Sequence, residues 1–233
     1  MTLASILINP PIKAILSTFL HVDDSEVARI PMQGPLILAS NHINTLDAPV
    51  GFSHLHPRPL TAFVKTETFN NFFLKLLFNA WDTIPIKRGE VDFNAFRLAE
   101  EALQKKKMVI VAPEGTRSYH GRLNTGYPGI VLLAIRSGAP ILPVVFYGNE
   151  NFKKNFRVTR RTEMVIKVGK IFHIDPKGQP LTREVRTQMT DEIMYEIASL
   201  LPEKNRGVYS DLSKNKREYL SFENSHKTGI IGA

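Results

Sequence analysis

Short apolar runs alternate with helix-patterned segments along most of this 233-residue chain, and no other feature constrains its fold as much. Residues 36–39, 60–64, 83–86, 108–112, 141–147 and 164–172 have the length and apolar continuity of strands. Helices are expected between them, near 48–56, 66–81, 92–107 and 129–137, with a later one near 182–200. In the last of these, Val185, Met189, Ile193 and Ile197 recur at four-residue spacing and predict a face that closes the core. Alternation of this kind predicts an α/β fold, a single domain with a mostly parallel central sheet flanked by helices. With 43% apolar residues the chain can bury a sizeable core. It has no cysteine, which excludes disulfides, thiol nucleophiles and thiolate metal sites.

Polar clusters follow several of these strands. After 36–39 comes Ser40-Asn41-His42-Ile43-Asn44-Thr45-Leu46-Asp47. On a regular helix, His42 and Asp47 would not share a face, so they meet only if a turn separates them. Two readings stay open on these residues alone. Asp47 caps a helix that begins at Ala48-Pro49 while His42 merely ends a strand. Alternatively, His42 is a general base and Asp47 holds its other ring nitrogen. Residues 108–112 are followed by Pro113-Glu114-Gly115-Thr116-Arg117-Ser118, where a glycine admits close backbone approach and an arginine offers a planar donor fork. Lys65, Lys87 and Arg88 close two further strands. Each of these cations alone reads as solvated surface. Lys65, Lys87, Arg88 and Arg117 together at strand ends read as a phosphate-binding rim, since open α/β sheets bind ligands at strand carboxyl ends.

Two apolar segments need separate treatment. Residues 3–22 carry Lys13 as their only cation, and Pro10-Pro11 is expected to interrupt them, which argues against a spanning helix. The absence of a basic leader region argues against a signal peptide. A short helix from 12 to 21 would lie either on a membrane or on the protein's own core. In the segment 69–81, Phe69, Phe72, Phe73, Leu76 and Ala80 form one stripe that Leu74, Leu77, Phe78 and Trp81 widen. Such a face is wider than a core-facing helix needs, so it meets a second layer, an acyl chain or a bilayer. From Pro202 onward the composition is polar and lysine-rich, and a flexible or loosely docked tail is expected. The net charge of +8 favours phosphate-bearing partners, but basic and aromatic residues are not interleaved as in a nucleic-acid surface.

Taken in order, Asn41-His42 to Asp47, Ile84 to Gly89, Pro113 to Ser118 and Ala139-Pro140-Ile141-Leu142-Pro143-Val144 resemble the four blocks of the glycerolipid acyltransferases. That family is typified by 1-acylglycerol-3-phosphate acyltransferase, and the likeness extends over roughly residues 30 to 175. It implies that His42 deprotonates an acceptor hydroxyl with Asp47 orienting it. It also implies that amides near Gly115 stabilise the oxyanion, and that Lys65, Arg88 and Arg117 hold an acceptor phosphate. Glu114 and Thr116 would belong to the substrate-binding loop, and Pro143 would shape an acyl-binding region. No metal and no cofactor are implied; acyl-CoA or acyl carrier protein is the acyl-donor substrate. The partners are then that donor and membrane lipid, without nucleic acid. The organisation implied is 1–27 as an apolar membrane-contacting segment, 28–201 as the acyltransferase domain and 202–233 as the tail. The chain would be peripheral or monotopic at the cytoplasmic face. Tyr127, in Asn124-Thr125-Gly126-Tyr127-Pro128-Gly129, stands where many relatives carry a basic residue.

Overall fold

The computed structural model describes residues 2–87 and 92–223, so Arg88 and Gly89 lie outside the described residues, as do 224–233. In chain order the elements are α1 (Leu3–Phe19), β1 (Leu20–Asp23), β2 (Leu36–Ala39), α2 (Asp47–His54), β3 (Leu60–Lys65), α3 (Phe72–Ala80) and β4 (Ile84–Ile86). They continue as α4 (Phe93–Gln104), β5 (Met108–Val111), α5 (Gly129–Ser137), β6 (Ile141–Tyr147), α6 (Phe152–Arg157), β7 (Thr162–Val168), β8 (Phe172–Ile174), α7 (Arg183–Leu200) and β9 (Leu220–Phe222). The main sheet has the order β1-β7-β6-β2-β5-β3-β4. Its centre is parallel, since β2 pairs with both β5 and β6, and β3 with β5 and β4. This is the α/β architecture that the alternation predicts.

Period-two packing makes three layers. On β2, Ile37 and Ala39 face a core shared with α4, α5 and α7, while Leu36 and Leu38 face one shared with α1, α2 and Trp81. On β6, Ile141 and Val145 face the first core and Leu142, Val144 and Phe146 the second. A strand covered on both faces reads as a continuous apolar run rather than an alternating one.

Four expectations are corrected. The prolines do not interrupt the first helix, for α1 runs continuously through Pro10 and Pro11. The two prolines forfeit the bonds their own N–H groups would have made and crowd the carbonyls of Ile6 and Leu7, but those residues lie on the helix's exposed side, where water can take up the freed carbonyls. The helix docks by a mixed face: Ile8, Ile12 and Leu16 pack on the second core, Ser5 and Asn9 are buried beside them, and the Asn9 Oδ1 accepts from Trp81 Nε1 at 2.8 Å. The 66–81 helix is split into a 3-10 turn (Thr66–Asn70) and α3, because Asn71 caps α3 by accepting from Leu74 N at 3.1 Å. The expected last strand is two, β7 and β8, broken at 169–171. Pro143, which has no N–H, falls where β6 passes from pairing with β8 at Ile141 to β7 at Val144.

The fourth correction concerns the tail. Residues 203–222 fold back onto α7 with Tyr209 and Tyr219 buried. Two buried carboxylates receive them: Glu192 accepts from Tyr219 N at 2.9 Å, and Glu196 from Asn215 Nδ2 at 2.7 Å and Arg217 Nε at 2.7 Å. Polar side chains that composition assigns to solvent are paired within the chain instead.

Candidate active site

The site sits at the carboxyl ends of β2, β5 and β6. Asn41 extends the sheet past its last strand pair: its Nδ2 donates to Phe146 O at 2.8 Å and its Oδ1 accepts from Phe146 N at 2.9 Å. The next residue, His42, leaves the sheet plane with its direction already set. Its Nδ1 meets Asp47 Oδ2 at 2.8 Å. The same oxygen accepts from Ile43 N at 2.7 Å and Asn44 N at 2.9 Å. The Asp47 carboxylate therefore faces back into the 42–46 turn rather than forward to the helix amides. Asp47 opens α2 without capping it through its side chain. A negative charge in the first turn still suits the helix dipole.

Asp47 is 7% exposed, and its Oδ1 accepts from Asn149 Nδ2 at 2.9 Å. Four N–H donors thus stabilise one buried carboxylate. With a carboxylate opposite Nδ1, the neutral ring keeps its proton on Nδ1 and presents Nε2 as acceptor. That nitrogen has no partner among the described residues, and the side chain is 24% exposed. The geometry is that of an oriented base open to a ligand.

Glu114 has a different place from the dyad. It is 1% exposed; Oε1 accepts from His42 N at 3.1 Å, and Oε2 from Asn124 N at 2.8 Å and Asn124 Nδ2 at 3.1 Å. Burial pushes its carboxyl above the usual carboxylate range against the pull of those donors. Glu114 ties the β5 loop to the β2 loop, and Ser118 N to His42 O at 2.8 Å and Tyr119 N to Ile43 O at 2.9 Å complete the join.

Gly115 takes a positive φ of 65°, which favours glycine, and its N–H is committed to Ala112 O at 3.0 Å. Its amide is therefore not a spare donor. The amides of Thr116 and Arg117, next along this loop, bond to nothing among the described residues. Arg117 is half-buried with its guanidinium 5.3 Å from the Tyr119 ring centroid. Lys65 closes β3 but ion-pairs with Glu67 at 3.2 Å and is bonded to none of the groups above. Pro143 is buried within β6, in register with Ala39.

Sequence reasoning missed Asn149 and Asn124. The signal for Asn149 was there: Gly148-Asn149-Glu150 directly follows an apolar strand, as Asn41-His42 and Pro113-Glu114 do.

The family model described as Acyltransferase matches residues 21–147, more than half of the chain, which takes in His42, Asp47, Glu114 and Asn124. Two curated proteins named 1-acyl-sn-glycerol-3-phosphate acyltransferase are similar. The one from Borreliella burgdorferi is 26% identical over 125 residues, 53% of this chain and 50% of that protein. The one from Pseudomonas aeruginosa is 23% identical over 180 residues, 74% of this chain and 67% of that protein. The chain thus spans half the length of one relative and about two thirds of the other. The crystal structure of the 1-acyl-sn-glycerophosphate acyltransferase PlsC from Thermotoga maritima matches with a TM-score of 0.61 at 22% identity, over 84% of this chain and 78% of that chain. At that identity the likeness speaks for the fold alone.

Proposed function

Because this chain belongs to the Acyltransferase family, we propose that it moves an acyl group from a thioester donor to the hydroxyl of 1-acylglycerol 3-phosphate, giving phosphatidate. The observation that carries the reading is the His42 Nδ1–Asp47 bond of 2.8 Å with Nε2 left open. His42 Nε2 takes the proton of the acceptor hydroxyl as its oxygen attacks the thioester carbonyl. The tetrahedral oxyanion is met by backbone amides, those of Thr116 and Arg117 being the candidates. Collapse breaks the carbon–sulfur bond, and the thiolate recovers the proton from His42. No acyl-enzyme is needed. A noncatalytic lipid-binding role does not require a base held by a four-donor carboxylate.

Arg117 stands beside the loop as a phosphate partner, and the curated relatives' names specify the lysophosphatidate substrate for those proteins. Tyr127 favours a second reading, another glycerolipid or glycolipid acceptor: it is 66% exposed, and its Cδ2 would lie 3.4 Å from a Cβ on Gly115. An aromatic ring, not a cation, thus covers the loop. Purified protein with labelled acyl-CoA and a panel of acceptors decides between them. Labelled phosphatidate is expected; transfer only to a phosphate-free acceptor overturns the first reading. Arg117→Ala is expected to raise KM for the phosphate-bearing acceptor about tenfold or more, the scale of a charge-assisted bond, and to leave donor KM unchanged. An equal, small effect on both would make Arg117 structural.

We place the protein at a membrane surface, on the cytoplasmic face where it would meet its donor. Among the described residues no helix is long and apolar enough to cross a bilayer. The outward face of α1 nonetheless carries Leu3, Leu7 and Ile15, while Ile8, Ile12 and Leu16 pack on the core with Ser5 and Asn9. Beside it, α3 exposes Phe72 at 73% and Phe73 at 77%. At the other end of α1, Phe19 meets Phe156 of α6 at 5.4 Å, and α6 adds the exposed cations Lys153, Lys154 and Arg157. Replacing Phe72 and Phe73 together with serine is expected to lower binding to vesicles containing anionic lipid by about tenfold per ring or more. Thermal stability should be unaffected, because both rings are exposed. Wild-type protein that stays in solution beside such vesicles overturns the placement.

A further inference from the structure

The segment after α7 lies wholly outside the part of the chain that the family model matches, yet its first residues lie against the loops that hold both members of the dyad. Asn205 is 3% exposed. Its Nδ2 donates to Gly121 O at 2.7 Å, on the loop after β5, and to Glu150 Oε1 at 2.7 Å, on the loop after β6. Its backbone carbonyl accepts from Leu123 N at 3.0 Å, and Leu123 O accepts from Val208 N at 3.3 Å. Between these two bonds Gly207 has a φ of 55°, and a Cβ there would fall 2.0 Å from Leu123 O, so the approach admits no side chain. Tyr209, 4% exposed, accepts from Gly126 N at 3.1 Å and donates to Asp191 Oδ1 of α7 at 2.9 Å.

Each loop reaches the dyad from there in one or two bonds. On the first, Asn124 follows Leu123 and holds Glu114, whose other oxygen holds His42 N. On the second, Asn149 precedes Glu150 and holds Asp47 Oδ1. One buried asparagine therefore cross-links the supports of the base and of its carboxylate, and Tyr209 anchors the first loop to α7. We infer that Asn205 and Tyr209 are positioning residues of the acyl-transfer site, and that the segment 203–209 functions as a clamp on the loops bearing Asn124 and Asn149. A misplacement of about 1 Å in such supports can cost on the order of 10²-fold in rate. This rests on the proposed acyltransferase reading for its kinetic consequence, though not for its structural one.

A double-mutant cycle separates positioning from general stability. Tyr209→Phe and Asn124→Ala are each expected to lower kcat about tenfold with KM for the thioester donor unchanged. Their combination should be no worse than Asn124→Ala alone, because both act through one loop. Asn205→Ala should cost more than Tyr209→Phe, since it removes the side-chain bonds to both loops, although the backbone bonds to Leu123 remain. Hydrogen exchange supplies a readout that needs no substrate: protection of the amides of Leu123 and Asn124 should fall at least about tenfold in Tyr209→Phe while the strand amides of β2 and β5 stay protected. Unchanged protection, or rate losses that multiply to about a hundredfold in the double variant, overturns the clamp. If wild-type protein transfers acyl groups to no acceptor while the exchange result holds, the activity reading fails and the clamp stands.

Discussion

His42→Ala is expected to lower turnover by about 10²- to 10⁴-fold while leaving the fold intact. Separating those two outcomes is possible because of how Asp47 is satisfied. Deleting the imidazole removes one of its four donors, but Ile43 N, Asn44 N and Asn149 Nδ2 remain on the carboxylate. The buried charge is therefore not orphaned, and the large penalty of an unpaired buried carboxylate does not arise. Nor does His42 anchor the loop through its ring: its backbone N and O make the bonds to Glu114 and Ser118, and alanine keeps both. The side chain is 24% exposed, so its removal leaves a recess open to solvent rather than a sealed cavity. The thermal midpoint should move by no more than a few degrees. Near-normal turnover in that folded variant would remove His42 as the base, whatever the acceptor.

The sheet and its site were legible in the sequence to the extent that their determinants are local. Strands β2, β5 and β6 are covered on both faces, so their apolar runs stand out, and the residues that follow them lie at the carboxyl edge of the sheet. The pairing of His42 with Asp47 is also local, five residues apart around one turn. Asn149 is not: its partner Asp47 is 102 residues away, and an asparagine after a strand names no partner. The same limit hid Asn205 and the docked tail, because polar composition does not distinguish a side chain paired with buried Glu192 or Glu196 from a solvated one. In α1 the periodicity was visible but its inward side was not. Burial there is shared between Ile8, Ile12 and Leu16, which pack on the core, and Asn9, which accepts the indole N–H of Trp81. Leu3, Leu7 and Ile15 are left on the exposed side, and nothing in a local pattern says which of the two apolar stripes turns inward.

Asp47→Asn tests the other half of the dyad, and its expected result is again a folded protein with turnover lower by about 10²- to 10⁴-fold. Alanine would be the wrong substitution here, because it strands the amides of Ile43 and Asn44 in a buried turn. Asparagine keeps one acceptor oxygen. If that oxygen faces His42 Nδ1, Ile43 N and Asn44 N, the new amide group meets the Asn149 amide donor to donor. Asn149 answers the conflict by turning its own amide over, which gives up its long 3.4 Å bond to Asn44 Oδ1 but none made by its own Oδ1, which is buried and has no partner in the native arrangement. The fold survives and the imidazole keeps its tautomer, but no negative charge faces the imidazolium that forms during acyl transfer. If instead the new amide group faces Nδ1, the ring must carry its proton on Nε2, and the base is lost outright. Both arrangements lower kcat, and neither adds to the loss in His42→Ala, so the double variant should be no slower than His42→Ala alone. Turnover within about fivefold of wild type, or losses that multiply in the double variant, would show that Asp47 holds only the turn.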